Sequence, residues 1–455
     1  VTPVISIKPR PGRFVLRRVL SATLCGITVA RAFADASLTF TWDSNPDPDI
    51  IGYNLFYGTA SRNYTFAVPV GLVTNATVSG LREGLTYFFA NVAYTADGAF
   101  SDFSDEASQF IPLPNSPNAF AVVSGPYNGL FFETNQIQQT TSGILSLFVT
   151  PRGIYSGRLQ SGNMRAPFHG QLDSSCEATN VLSGPNNISF LVQFRVDGNG
   201  QLTGQLSNGD TISSLTAERT SFNSRTLPAP FAGRYTCVLP GQGTDPSAPQ
   251  AYGFGVARVN ASGSAIFFGT LADGTRVTQS TLIPDSGVWP FYVPLYSGNG
   301  SILGLLTLSN QVSTDLNGMI NWIKPAASNA KYYSGGFTNQ SQMIGSRYSI
   351  PSPVTQPVLE LPEAFIAFAA GDPALGFTNT LSIGRGSRVA NQSPNPLTMT
   401  FSISTGTFTG NVLDPVSQGT MQFSGVVFQK NAAGYGLMFG ANKTSGVLLG
   451  LWRVE

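Results

Sequence analysis

Hydrophobic and polar residues alternate in short runs along most of this chain. Ile188, Phe190, Val192, Phe194 and Val196 fall on one face of a pleated strand, while Ser189, Gln193, Arg195 and Asp197 fall mainly on the other. Met399, Phe401 and Ile403 alternate with Thr400, Ser402 and Ser404 in the same way. A period of two gives each strand one dry and one wet face, which predicts antiparallel sheets folded as sandwiches or barrels. No long helical period interrupts the pattern. The fold class expected is all-β.

A short glycine phrase punctuates these strands. It reads Gly153-Ile-Tyr-Ser-Gly157-Arg-Leu159 and returns from Gly200 to Leu206, from Gly300 to Leu306 and from Gly406 to Val412. A longer variant runs from Gly263 to Leu271. The second glycine shares a face with its apolar neighbours. Glycine weakens a strand, so its repeated use there predicts a bend, a bulge or the close approach of a bulky neighbour. A second phrase opens each repeat: Gly125-Pro-Tyr-Asn-Gly129, then Gly233-Arg-Tyr-Thr-Cys237, then less faithfully Gly345-Ser-Arg-Tyr348. A spacing of about 110 residues is enough for each repeat to fold as a domain. The expected modules are 125–232, 233–344 and 345–455, with the proline-rich stretch Pro351 to Pro362 marking a break near the third.

Residues 35–111 form a separate unit. Ser37 to Trp42 and Ile51 to Tyr57 read as strands, joined by a proline-rich loop. Ala76 to Leu81 and Thr86 to Tyr94 follow, and residues 112–124, with Pro112, Pro114 and Pro117, read as a linker. On Trp42, Tyr53, the segment Leu81-Arg-Glu-Gly-Leu-Thr-Tyr87 and Ser101 to Ser108, this unit resembles a fibronectin type III domain. The resemblance implies a two-sheet sandwich with Trp42 in its core and the Tyr87 hydroxyl tied to backbone upstream. It implies a spacer or binding scaffold and no reaction. The later segments Trp289 to Gly300 and Asn321 to Pro325 resemble tandem β repeats of large secreted bacterial proteins of unassigned function, and no catalytic residue comes with that resemblance.

Composition narrows the class. Charged residues are 11% of the 455, against a usual ~25%, while Gly numbers 49 and Pro 30. A hydrophobic fraction of 42% excludes a disordered chain. Residues 1–34 read as an export signal. Lys8, Arg10, Arg13, Arg17 and Arg18 precede an apolar stretch from Val19 to Ala30, and Ala32-Phe33-Ala34 offers a cleavage site. That stretch is too short to span a bilayer comfortably, and no other segment is long and apolar enough. Removing the signal leaves a mildly acidic chain with scattered Lys and Arg, a poor partner for nucleic acid. The location expected is extracellular or at the cell surface.

Reactive constellations are scarce. His169 is the single histidine, in a strand-like context without a nucleophile motif. One histidine and so few cysteines exclude the common zinc sites. Asp43, Asn45, Asp47 and Asp49 recur as in a calcium loop, but Pro46 and Pro48 stiffen the segment and no glycine stands at the sixth position. No catalytic residue, metal or cofactor is expected. Cys176 and Cys237 leave two readings open: a disulfide, as export permits, or two buried free thiols in different modules. Trp289, Tyr292, Tyr296 and Trp322 are the candidate ligand-binding residues, because flat aromatic faces stack on sugar rings or at protein interfaces. Core packing is the competing reading, since Phe291, Val293 and Leu295 alternate with Tyr292 and Tyr296. The expected partners are extracellular polysaccharide or surface proteins. The function expected is a non-enzymatic adhesion, matrix or binding scaffold. A carbohydrate-binding accessory to polysaccharide degradation comes second, and a glycoside hydrolase third.

Overall fold

The computed structural model describes residues 4–7, 36–111, 120–183, 189–209, 211–241, 248–353, 355–370, 372–440 and 444–451. Apart from Val4–Ile7, the expected export signal lies outside these residues, as do the three prolines of the expected linker. The chain is all-β, with one two-sheet unit followed by three eight-stranded antiparallel sheets, each curled into a nearly closed barrel.

The first unit pairs a four-stranded sheet with a three-stranded one. Its core holds Phe40, Trp42, Tyr53, Leu55, Tyr87 and Phe89. Tyr87 sits under the corner of this unit, where its hydroxyl accepts the backbone N–H of Arg82 at 3.0 Å. Val4–Ile7 lies parallel to Ala36–Trp42 at the sheet edge.

Each barrel begins and ends at one place. In barrel 1 the first strand, Gly125–Phe132, pairs with the last, Ile212–Arg219. In barrel 2, Gly233–Leu239 pairs with Phe337–Arg347, and in barrel 3, Ala364–Ala370 pairs with Thr444–Leu451. All other neighbours in sequence are neighbours in the sheet except at one seam. The seam falls between the fourth and fifth strands in barrels 1 and 2, and between the third and fourth in barrel 3. The third module therefore opens later than its Gly345-Ser-Arg-Tyr348 phrase suggests. Gly345 to Arg347 finish the last strand of barrel 2, and only Tyr348 joins the third core.

The glycine phrase is explained by close approach. Tyr155, Gly157 and Leu159 point inward together, and a Cβ on Gly157 would stand 2.6 Å from the Phe168 ring. At Gly410 it would stand 2.2 Å from the Thr398 carbonyl and 2.3 Å from the Phe423 ring. Large rings thus fill the barrels by lying across strands that carry no side chain at that point. The interiors are packed cores of aromatic and aliphatic residues.

Cys176 and Cys237 are both buried free thiols, the first in the core of barrel 1 and the second in that of barrel 2. The disulfide reading is therefore corrected: each thiol is enclosed by its own barrel. Burial pushes both thiols up to about 12.

The units are also fastened to one another. Arg195 of barrel 1 lies 4.2 Å over the Phe110 ring and donates to the Thr86 hydroxyl at 2.8 Å. Leu130 of barrel 1 meets Tyr292 and Leu303 of barrel 2 in an apolar contact. Val238 of barrel 2 meets Val426 and Phe428 of barrel 3, and Lys430 reaches back to Asp315 at 2.6 Å.

Candidate functional site

The four aromatics singled out in the sequence do not form an exposed stacking face. Trp289 is fully buried, and its indole N–H donates to the Gln279 amide at 2.9 Å. Trp322 is buried and donates to the Tyr296 hydroxyl at 3.0 Å. That hydroxyl in turn donates to Asp273 at 2.7 Å, and Lys324 binds the same carboxylate oxygen at 2.5 Å while lying 4.4 Å over the Tyr296 ring. Burial and the Asp273 charge both raise the Tyr296 phenol. Tyr292 points out of barrel 2, but barrel 1 covers it, and its hydroxyl accepts the Gly162 N–H at 2.6 Å. Their assignment as ligand contacts is corrected: Trp289 and Tyr292 lie on the strand Val288–Leu295, whose two faces are taken up by its own core and by the neighbouring barrel, Trp322 is buried in the core, and half-buried Tyr296 is bound to Asp273 and Trp322.

The other chemical candidates are equally plain. His169 is exposed on the outer face of barrel 1, opposite Ser156 in the adjoining strand. No carboxylate stands in either strand to orient it. The Asp43 to Asp49 loop spends its side chains on its own backbone: Asn45 caps the N–H of Asp47, and Asp47 caps that of Asp49. Among the described residues no group of three or more His, Cys, Asp or Glu is placed to hold a metal ion.

A different surface carries the exposed chemistry. It is the outer face of the hairpin Ser264–Thr270 and Arg276–Leu282 in barrel 2. Along these strands Ala265, Phe267, Val277 and Gln279 point inward, so Ile266, Phe268, Thr278 and Ser280 point out. Ile266 is 41% and Phe268 55% exposed, a large apolar surface to leave in water. The ladder places Arg258 beside Ile266 and Arg276 beside Thr270. Arg258 also stands directly opposite Arg234, both exposed.

Each end of this face runs into a cleft against a neighbouring barrel. Toward barrel 1 a cleft of about 600 Å³ is lined by Ser264 and Ser280 on one side and by Phe148, Ser156 and Arg158 on the other. Toward barrel 3 a cleft of about 460 Å³ lies between Thr270 and Arg276 on one side and Thr400, Thr409, Asn411 and Gln422 on the other. The contacts between barrels described above bring the walls of both clefts together. Tyr332 adds a bond to the Gly440 carbonyl at 3.0 Å, and Thr444 one to that of Ala272 at 2.6 Å. Sequence reading missed this surface because period-two alternation marks Phe268 as outward without saying whether another domain covers it.

No family model matches the chain. A Kelch domain-containing protein of Saccharolobus solfataricus is 35% identical over 92 residues, which is 20% of this chain and 12% of that protein's length. Two transferrin binding protein B structures align over most of the chain. The one from Haemophilus parasuis, a Trp-176-Ala mutant, covers 91% of this chain and 98% of its own at 9% identity and a TM-score of 0.21. The one from Neisseria meningitidis covers 89% and 84% at 11% identity and a TM-score of 0.21. Among the described residues no helix is long and apolar enough to cross a membrane.

Proposed function

We propose that this chain is an exported, non-enzymatic binding scaffold of the cell surface or extracellular matrix. Its working surface is the outer face of the Ser264–Thr270 and Arg276–Leu282 hairpin with the two flanking clefts. One observation carries the reading: three solid barrels pack side by side, and the clefts between them are lined by hydroxyl, amide and arginine side chains. Such a face offers shape and many weak contacts, and no carboxylate on its strands can act as a general acid or base. The first unit is read as a fibronectin type III-like spacer, supported by buried Trp42 and by the Arg82–Tyr87 bond. The basic and apolar N-terminal stretch is read as its export signal.

The test is retention. Chain lacking residues 1–34 is incubated with intact producing cells and with their shed matrix, then compared with a Phe268→Ser, Ile266→Ser double variant of the same fold. Retention of the parent and its loss in the variant is the expected result. Equal retention of both would move the contact elsewhere, and retention of neither would end the scaffold reading. Carbohydrate is the favoured class of partner, because Phe148 and Phe268 are exposed beside the hydroxyl-rich clefts.

A further inference from the structure

Charge on this surface is one-sided. Arg158, Arg234, Arg258 and Arg276 are all exposed, and none enters an ion pair among the described residues. None of the strands that build the face and its cleft walls carries an Asp or Glu. Arg234 and Arg258 are direct cross-strand partners. Like charges in that position destabilise a sheet, so the pair has a cost, and no ion pair among the described residues offsets it. Guanidinium is also the cation best suited to grip carboxylate in a planar, two-toothed way.

The geometry points to an acidic polysaccharide, a polymer of uronic acid type, as the ligand of this face, and the inference rests on the binding-scaffold reading above. Phe268 and Ile266 offer an apolar floor on which the face of a sugar ring rests. Thr278, Ser280 and the Thr, Asn and Gln side chains of the clefts meet ring hydroxyls. Arg258 and Arg276 lie toward opposite ends of the hairpin face, and Arg158 lies across the cleft in barrel 1. An extended chain laid along the hairpin from one cleft to the other passes all three. Several weak contacts on one rigid body then act together without ordering a loop.

The experiment measures binding of the full chain lacking residues 1–34 to polygalacturonate, to neutral dextran and to single-stranded DNA, at low and at physiological salt. Variants are Arg158→Gln, Arg258→Gln and Arg276→Gln, singly and together, with Arg82→Gln in the first unit as an exposed control. All four positions are on the surface, so circular dichroism and melting should match the parent. The expected result is binding to polygalacturonate that weakens with salt. The triple variant should lose about tenfold or more in affinity, a change of about 1.4 kcal/mol, and the Arg82 variant nothing. Dextran bound as tightly as polygalacturonate, or binding untouched by the triple variant, would overturn the acidic class while leaving the scaffold reading to its own retention test. Failure to bind polygalacturonate, or equal affinity for DNA, would overturn it as well.

Discussion

Single residues in this chain divide by whether a second barrel covers them. Tyr292 and Phe268 both point out of barrel 2 on pleated strands, yet the first is 3% and the second 55% exposed. Nothing local distinguishes them, so of the aromatic candidates read from sequence three were buried and Tyr296 half-buried, and the exposed ring went unmarked. The cysteines were legible only as alternatives, because distance in space decides pairing. Their burial gives a pH prediction. An unfolded thiol titrates near 9 and the folded ones near 12, so the proton is held more tightly in the folded state. Stability from these groups is complete below about pH 9 and falls as pH rises toward 12. Urea unfolding at a series of pH values should show that fall, and a Cys176→Ala, Cys237→Ala chain should show a shallower one. Both native thiols should resist a thiol reagent at pH 8 and react once the chain is unfolded.

At the scale of the element, alternation and the paired glycines were enough to place most strands, because both are local consequences of a pleat. Barrel closure was not legible. It depends on first and last strands meeting across more than a hundred residues, about which a period of two says nothing. The seam was equally hidden. In barrel 2 it lies between Arg276–Leu282 and Val288–Leu295, and Pro290 and Pro294 in the second strand lack the N–H groups a ladder needs. Gln279 replaces that ladder. Its amide donates to the Pro290 carbonyl at 2.9 Å and accepts from Trp289 at 2.9 Å. Barrel 1 does the same with Asn180, which donates to the Tyr155 hydroxyl at 2.7 Å from across its own seam. Gln279→Ala should leave a buried carbonyl and a buried indole N–H unpaired and cost about 2–4 kcal/mol. Urea titration measures that loss, and hydrogen exchange should rise first in the two strands that border the seam.

Taken whole, the molecule is a row of solid bodies rather than beads on a string. The sequence's domain count was legible from the repeat, but its proline-rich breaks suggested looseness where the structure has contact. Phe428 shows the difference. Val427 faces the core of barrel 3, whereas Val426 and Phe428 face Val238 of barrel 2, and Tyr252 and Tyr435 meet edge to face at 5.4 Å beside them. Phe428→Ser should therefore spare the fold of barrel 3 and free its attachment. X-ray scattering should report a larger radius of gyration, and calorimetry should split a shared melting transition into separate ones.

The place where each barrel begins and ends also decides how it answers to force. Thr220 on leaving barrel 1 donates to the Pro126 carbonyl at its entrance, and Tyr348 on leaving barrel 2 donates to that of Arg234. Tension on the two ends of the chain therefore pulls apart neighbouring antiparallel strands from one tip, loading their hydrogen bonds one after another. A chain built this way unzips one strand pair at a time and lengthens by a barrel at a time.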